Sequence, residues 1–260
     1  MKIATWNVNS IKARLPNALE WVKAAGPDVL CMQEIKCIDE NFPTAAFEEI
    51  GYHVTVHGQK TYNGVAILSK VSPDDVMRGL PGNEADEQAR YLEVVIPAGD
   101  TIVRVASIYL PNGNPVPGPK YDYKLNWMHH LKNRMQDVLK LEEMSVFSGD
   151  YNVIPAPIDV HNPKAWEGDA LYRPETHAAW RPLLHLGYTE AFRALSSDPE
   201  QYSFWDYQAG AWQRNHGIRI DHHLLSPQAA DRLQSCTIDK DVRAKERPSD
   251  HVPVICELDI

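Results

Sequence analysis

The order of apolar patterns along the chain constrains the fold more than any other feature of the sequence. Residues 3–8 form a short β-rich run, residues 10–25 carry apolar side chains at helical spacing, and residues 29–32 form a second buried strand. This opening predicts strand, helix, strand. In the middle of the chain, strand patterns follow one another with only short turns between them, which predicts a run of antiparallel strands. They cover residues 52–57, 64–69, 91–96 and 101–109.

Helical patterns return in the second half of the chain. Two helices and three strands are predicted there, at residues 120–141, 145–147, 175–186, 218–225 and 252–258. No internal repeat, low-complexity linker or charge block marks a domain boundary. The sequence therefore predicts one α/β domain over residues 1–260, with two packed sheets and helices outside them.

Composition restricts the class of protein less sharply. Apolar residues make up 43% of the chain and charged residues 23%, which is typical of a packed domain and not of disorder. The formal net charge of -9 argues mildly against a nucleic-acid partner, because DNA-binding surfaces neutralise phosphates with Lys and Arg. Carboxylates that bind a divalent cation, however, also make a bare chain look acidic. The net charge therefore does not exclude a nucleic-acid substrate.

The spacing of the cysteines and the lack of a recognisable targeting pattern predict an intracellular location. The four cysteines lie far apart without a Cys-x-x-Cys pair, which predicts reduced thiols and argues against structural zinc. The chain starts directly with a strand pattern and contains no apolar span of the roughly 18 residues that a membrane helix needs. We therefore expect a cytoplasmic protein without a membrane segment.

Polar side chains stand where predicted strands give way to loops, which is where catalytic groups tend to be presented. They are Asn7, Glu34, Asp150, Asn152, Asp221 and Asp250. Each alone is more typical of a turn or a cap. Together they form an oxygen-rich set that suits a hard cation such as Mg²⁺, which neutralises charge on a phosphate while a carboxylate activates water.

Two spacing arguments add geometry to this set. Asn7 and Glu34 end neighbouring predicted strands, so their side chains are expected side by side. Asp150 and Asn152 are two residues apart, so in an extended strand they would point the same way.

A histidine directly precedes the last predicted strand. A carboxylate that orients His251 would keep it charged and able to donate to a phosphate oxygen, and Asp221 is the candidate carboxylate. His222 and His223 bring no acidic partner of their own, so we expect them to be strand or surface residues.

Seven short blocks occur in order along nearly the whole chain. They are T-W-N-V-N at 5–9, M-Q-E-I-K at 32–36, G-Q-K at 58–60 followed by G-V-A-I-L-S at 64–69, Y-L-P-N-G at 109–113, G-D-Y-N at 149–152, R-I-D at 219–221 and S-D-H at 249–251. One block alone would be a weak signal, whereas seven in order are specific. Together they resemble the signature blocks of exonuclease III type AP endonucleases, which belong to the endonuclease/exonuclease/phosphatase superfamily with its DNase I-like fold.

The resemblance implies a four-layer α/β sandwich, in which two mixed, mainly antiparallel sheets pack face to face with helices on the outer faces. The active site would lie at the strand ends between the sheets. The family's roles carried onto this sequence make Glu34 the principal Mg²⁺ ligand, assisted by Asn7. Mn²⁺ is expected to substitute for Mg²⁺.

The same resemblance implies the remaining site roles. Asp150 would activate the water, and Asn152 would hold that water or stabilise the transition state; both count toward the metal surroundings. Tyr109 would contact the scissile phosphate. Asp250 would belong to the metal or second-metal region, and His251, paired with Asp221, would bind the phosphate beside the metal.

The superfamily also contains enzymes that act on lipids and small phosphorylated molecules, so flanking residues must select the substrate. The aromatic segment 202–207 resembles the part of AP endonucleases that lines a pocket for an extruded base-less sugar, although plain core aromatics are the alternative. The expected DNA contacts are Arg90, Lys120, Lys124, Phe204, Trp205 and Ile218. Lys12, Arg14, Lys60 and Arg214 are further candidates.

Two departures from the family pattern concern the metal and the DNA-gripping loops. Asn9 stands where some relatives have Asp, and the loops at 112–120 and 155–173 match loosely. The sequence nevertheless predicts hydrolysis of the phosphodiester 5′ to abasic sites in duplex DNA, with 3′-phosphodiesterase and 3′→5′ exonuclease activity, by a monomer in base excision repair at the bacterial nucleoid. The alternative is a phosphodiesterase of the same fold that acts on a lipid or small phosphorylated substrate.

Overall fold

Two six-stranded sheets pack face to face in the computed structural model, which describes residues 1–260. In chain order the strands are β1 (Lys2–Asn7), β2 (Val29–Gln33), β3 (His53–His57), β4 (Val65–Ser69), β5 (Asp75–Arg78), β6 (Tyr91–Ala98), β7 (Thr101–Tyr109), β8 (Met144–Asp150), β9 (Thr189–Glu190), β10 (Asp221–Leu225), β11 (Leu233–Ile238) and β12 (Val254–Leu258). The helices are α1 (Ile11–Ala25), α2 (Thr44–Glu48), α3 (Pro119–Leu139), α4 (Pro163–Trp166), α5 (Pro174–His185), α6 (Ala191–Leu195) and α7 (Pro227–Ala230).

The strand order places the carboxyl ends of four central strands at one edge of the molecule. The first sheet has the order β11-β12-β1-β2-β4-β3, and the second has the order β5-β6-β7-β8-β10-β9. The pairs β1–β2 and β7–β8 are parallel, and the other pairs are antiparallel. Parallel neighbours end at the same edge, so the residues that follow β1, β2, β7 and β8 meet there.

Apolar side chains fill three layers between the elements. Between the sheets, residues such as Ile3, Val105 and Val146 are fully buried. Outside the first sheet, the ring of Trp21 on α1 packs edge-on against Trp6 with centroids 5.7 Å apart. Outside the second sheet lies a cluster that includes residues of α3 and α5. Each fully buried aliphatic side chain contributes about 1.5–3 kcal/mol, so these layers supply the main stabilisation.

The four-layer sandwich predicted from the sequence is confirmed, and the long elements lie close to their predicted positions. Helix α1 ends at Gly26, which adopts the left-handed conformation with φ 57° and donates its backbone N–H to the carbonyl of Val22. None of the helices combines the length and the hydrophobicity that a membrane span requires.

The predicted antiparallel strands in the middle of the chain form two antiparallel pairs, β3–β4 and β6–β7, which lie in different sheets: β4 pairs with β2, while β6 and β7 belong to the second sheet. Two details of the prediction were wrong. The short strands β5, β9 and β11 carried no clear alternation of apolar and polar residues and were not predicted. The predicted strand over 218–225 begins only at Asp221.

Candidate active site

The side chain of Asn7 bridges two carboxylates, those of Glu34 and Asp150, at the edge where the strand ends of both sheets meet. Its side-chain Nδ2 donates to Glu34 Oε1 at 2.9 Å and to Asp150 Oδ2 at 3.0 Å. The expectation that Asn7 and Glu34 lie side by side is therefore confirmed. Asn7 Oδ1 accepts a hydrogen bond from the backbone N–H of Asn9 at 3.0 Å, which fixes the orientation of the amide. The amide NH₂ group then holds the two carboxylates in position. The role of Asn7 as a metal ligand stays a prediction.

Glu34, Asp150 and His251 form one compact group. One ligand atom of each lies within 4.8 Å of those of the other two, and His251 Nε2 is 3.7 Å from Asp150 Oδ2. Two carboxylates of this kind, next to an amide, suit a hard divalent cation, whereas zinc typically takes Cys and His ligands. The donor set therefore fits the cation that the sequence predicts.

Local backbone geometry sets the position of Glu34. The residue has φ 50°, in the left-handed region that costs a non-glycine residue free energy, and its carbonyl accepts from Ser10 N at 2.7 Å. Lys36 Nζ lies 2.9 Å from Glu34 Oε2. Although burial raises the pKa of Glu34, the charge of Lys36 and the Asn7 amide outweigh it and lower that pKa, which keeps Glu34 ionised.

His251 is oriented by a buried carboxylate, as the sequence predicted. Its Nδ1 lies 2.9 Å from Asp221 Oδ2, which also accepts a hydrogen bond from Ser203 Oγ at 2.6 Å. Burial lowers the pKa of His251, but the charges of Asp221 and Asp150 raise it more strongly, to about 10. The imidazole is therefore a cation at neutral pH. Its Nε2 faces Asp150, where a bound phosphate is expected.

Asp150 ends β8 opposite Asp221 of β10 in the sheet register. Gly149 before it permits a close approach of β7, since a Cβ there would lie 2.0 Å from the carbonyl oxygen of Ile108. Burial raises the pKa of Asp150 to about 7, and nearby Asp221 also raises it while His251 lowers it. A carboxylate with a pKa in this range can accept a proton from water at neutral pH.

Tyr109 borders the group from β7, where it lies beside Asp150 in the parallel register. The guanidinium of Arg90 lies 4.8 Å from the centre of its ring. Burial and the charges of Glu34 and Asp150 raise the pKa of Tyr109 well above its usual value, so the phenol keeps its proton and can donate it in a hydrogen bond.

Asn152 reaches the site by a route that the sequence did not predict. The strand ends at Asp150 and Asn152 has φ 48°, so the backbone is not extended through both residues and the condition for their shared direction is not met. A buried Lys124 fixes this turn, with Nζ 2.6 Å from the Asn152 carbonyl and 3.0 Å from that of Asn112. Asn112 in turn donates to Asn152 Oδ1 at 3.1 Å.

A cleft of about 250 Å³ contains this group and two of the predicted DNA contacts, Phe204 and Ile218. Phe204 and Ile218 line its apolar side, and the Phe204 ring lies 4.9 Å from the His251 ring. Asp250 also lines the cleft but accepts from Asn9 Nδ2 at 3.0 Å and lies outside the Glu34–Asp150–His251 group. Larger depressions of about 480 and 570 Å³ exist elsewhere on the surface without such a group.

Two predicted DNA contacts do not fit their places in the structure. Lys124 is 0% exposed, and its ammonium donates hydrogen bonds to the two backbone carbonyls. Trp205 is also 0% exposed: it packs in the core, and its Nε1 donates to Asn215 at 3.2 Å. Neither side chain offers surface to DNA. Arg90 and Lys120 remain at least partly exposed, so their predicted contacts stay open.

Residues that sequence reasoning passed over also shape the site. Lys36 was quoted within a block but given no role, Ser203 was hidden in the aromatic segment, and Trp166 stood in a loop without a motif. A basic residue two positions after a predicted ligand was the available signal for Lys36. Nothing in the sequence pattern indicated Trp166, which lines the cleft.

Comparison with known proteins agrees with this geometry. The sequence pattern described as Endonuclease/Exonuclease/phosphatase family matches residues 4–251, so the chain belongs to that family of metal-dependent hydrolases. Exodeoxyribonuclease III from Haemophilus influenzae is 34% identical over 267 residues, covering 99% of this chain and 100% of that protein.

Two solved structures, each covering 100% of both chains, share the whole architecture. An AP endonuclease from Archaeoglobus fulgidus superposes with a TM-score of 0.93 at 38% identity. The 3′ phosphatase NExo from Neisseria, bound to a product DNA hairpin, superposes with a TM-score of 0.94 at 37% identity.

Proposed function

We propose that this chain is a Mg²⁺-dependent AP endonuclease that hydrolyses the phosphodiester 5′ to abasic sites in duplex DNA, with 3′-phosphodiesterase and 3′→5′ exonuclease activity, in base excision repair. The observation that carries the proposal is the convergence of Glu34, Asp150 and His251 in one cleft, which Phe204 and Ile218 also line. The similarity to an exodeoxyribonuclease III and to an AP endonuclease over the full chain supports it.

Each residue of the site has its own role in phosphodiester hydrolysis. A divalent cation held by Glu34 and Asp150 would supply positive charge against the developing charge on the phosphate oxygens. Asp150 accepts a proton from the attacking water. His251, held charged by Asp221, and the neutral phenol of Tyr109 donate hydrogen bonds to phosphate oxygens. Lys124 fixes the backbone of Asn152 through its carbonyl, and the Asn152 side-chain amide orients the water or the phosphate.

The cleft also supports an abasic substrate. The side chains of Phe204 and Ile218 form an apolar surface next to the phosphate position, which suits a deoxyribose without its base. An abasic nucleotide costs less to extrude from a duplex, because it has no pairing or stacking to lose. The lipid and small-molecule alternative has no comparable support, since all the full-length matches above act on nucleic acid by their names.

The proposal includes the setting in which the enzyme works. A chromosomal DNA substrate places it at the nucleoid of the cytoplasm, and one chain contains the whole residue set, so a monomer suffices. Mn²⁺ shares the preference of Mg²⁺ for oxygen ligands and should replace it.

Cleavage of a duplex oligonucleotide with one internal abasic site tests the proposal. With Mg²⁺ we expect one nick that leaves a 3′-hydroxyl and a 5′-deoxyribose phosphate. A duplex without the abasic site should stay uncut internally, and the Glu34→Gln variant should be inactive. If wild type leaves the abasic duplex intact but hydrolyses a lipid headgroup or an inositol phosphate, the lipid and small-molecule alternative is correct.

A further inference from the structure

A second cavity of about 260 Å³ opens next to the active-site cleft. Four residues line both spaces: Trp166, Phe204, Asp206 and Ile218. The Phe204 ring is also 4.9 Å from the ring of His251, so the second cavity adjoins the cleft close to the position proposed for the phosphate. The shared side chains form a common border, and a group attached to a bound sugar would pass this border to enter the second cavity.

The second cavity has a flat aromatic wall. The imidazole rings of His161 and His216 line it and stack on each other at 4.7 Å with an interplanar angle of 8°. Trp166 and Phe204 add two more aromatic rings to the lining, and Ala211 leaves space between larger side chains. Rings of this kind favour the face of another planar aromatic group.

The backbone holds this wall in place. His161 N donates to the carbonyl of Gly217 at 3.1 Å, and His216 N donates to the carbonyl of Ala211 at 2.8 Å. A Cβ on Gly217 would lie 2.5 Å from Tyr202 and 2.6 Å from Trp205 Nε1, so the chain at Gly217 packs directly on core aromatics. Such a wall is formed before any ligand binds, which lowers the entropic cost of binding.

We propose that the second cavity is a nucleobase subsite, which receives the base of an unpaired 3′-terminal nucleotide while the phosphodiester 5′ to that nucleotide lies at Glu34, Asp150 and His251. The inference rests on the proposed function. The same scissile position serves an internal abasic site and a 3′ end, but the terminal nucleotide carries a base that the sugar cleft cannot hold. Drug-sized ligands fill roughly 300–1,000 Å³, so a cavity of 260 Å³ suits a smaller planar group such as one base.

The consequence is a division of labour between the two cavities. The cleft serves every substrate, whereas the stacked histidines act only when a base is present. Trp166, the last residue of α4, lies within the 155–173 segment that matches the family pattern loosely.

Two substrates that differ by one base test the subsite. Both are duplexes with an unpaired 3′-terminal residue, which carries adenine in one and has no base in the other, and single-turnover release of that residue is measured with Mg²⁺. His216→Ala and His161→Ala should slow release of the base-bearing residue roughly 5- to 100-fold, the factor expected for one lost stacking contact. Release of the base-less residue should change less than twofold.

His216→Phe is the matched control, because it keeps a flat ring and should restore release of the adenine nucleotide. Equal losses on both substrates, or no loss on either, would overturn the subsite while cleavage by wild type leaves the proposed function standing. If the wild-type enzyme releases neither residue and does not nick an internal abasic site, the proposed function fails and the subsite falls with it.

Discussion

The ammonium of Lys124 lies 2.6 Å from the backbone carbonyl of Asn152, so a side chain of α3 supports the floor of the active-site cleft from inside the molecule. Asn152 adopts φ 48° and is joined to Asn112, whose carbonyl is the second acceptor of Lys124. Lys124, which the sequence suggested as a DNA contact, is therefore a positioning residue for Asn152, the group that we propose orients water or phosphate.

Replacement of Lys124 by methionine tests this relationship. Lys124→Met keeps the length of the side chain but leaves two buried carbonyls unpaired, at a cost of about 1–3 kcal/mol in the free energy of unfolding. Single-turnover cleavage of an abasic duplex should slow at least about tenfold, the factor that 1.4 kcal/mol represents. Lys120→Met, on the same helix but exposed, should keep wild-type stability. A fully active and stable Lys124→Met variant would refute the role.

The pair of Asp221 and His251 predicts a pH effect. The pKa of His251 is raised to about 10 in spite of burial, mainly by Asp221, so the imidazole is protonated below that pH and loses its charge above it. Asp221→Asn removes the stabilising charge and lowers the pKa of His251. The alkaline fall in cleavage rate should therefore begin at lower pH, and the rate at neutral pH should drop roughly 10- to 100-fold. An unchanged alkaline limb, with exposed Asp198→Asn as control, would contradict this assignment.

Cation binding should also be visible without turnover. Mg²⁺ at about 100 times its Kd stabilises the folded protein by about 2.7 kcal/mol, which corresponds to a rise in Tm of roughly 5–10 °C for a chain of this size. EDTA should reverse the rise. Glu34→Gln should largely abolish it, whereas the exposed Glu246→Gln should not. The same rise in wild type and Glu34→Gln would place the cation elsewhere.

A methyl group at Gly149 should disturb the strand that carries Asp150. The added Cβ would lie 2.0 Å from the carbonyl oxygen of Ile108, so β7 and β8 must separate. We expect Gly149→Ala to lower the free energy of unfolding by about 1–3 kcal/mol or more, measured by urea denaturation. Gly168→Ala, where nothing lies within 4 Å of the new Cβ, should have little effect. Equal stability of the two variants would contradict the close packing.

The sequence predicted the layers of the fold and the central members of the site because both leave local signals. Apolar periodicity located α1, α3 and the buried strands, and the polar residues at strand ends marked Asn7, Glu34 and Asp150. Edge strands such as β11 are half exposed and carry no such periodicity, so they were missed.

The roles of several residues depend on whether their side chains are buried, which the sequence does not show. Lysine is typical of protein surfaces, but in the folded protein the Nζ of Lys124 has two backbone acceptors inside the molecule. Phe204 and Trp205 are adjacent in sequence, yet one lines the cleft and the other packs in the core. The second cavity depends on a loop and on residues from distant segments, which no local pattern brings together.

The most direct test of a single hydrolytic centre is the single-turnover rate of strand cleavage at an abasic site for Glu34→Gln, Asp150→Asn and the double variant. Each single substitution should lower the rate at least about 1,000-fold, and the double variant should be hardly slower than the worse single one, because residues that act as a unit are not additive. Rates within tenfold of wild type in both single variants would contradict a shared role of Glu34 and Asp150 in hydrolysis.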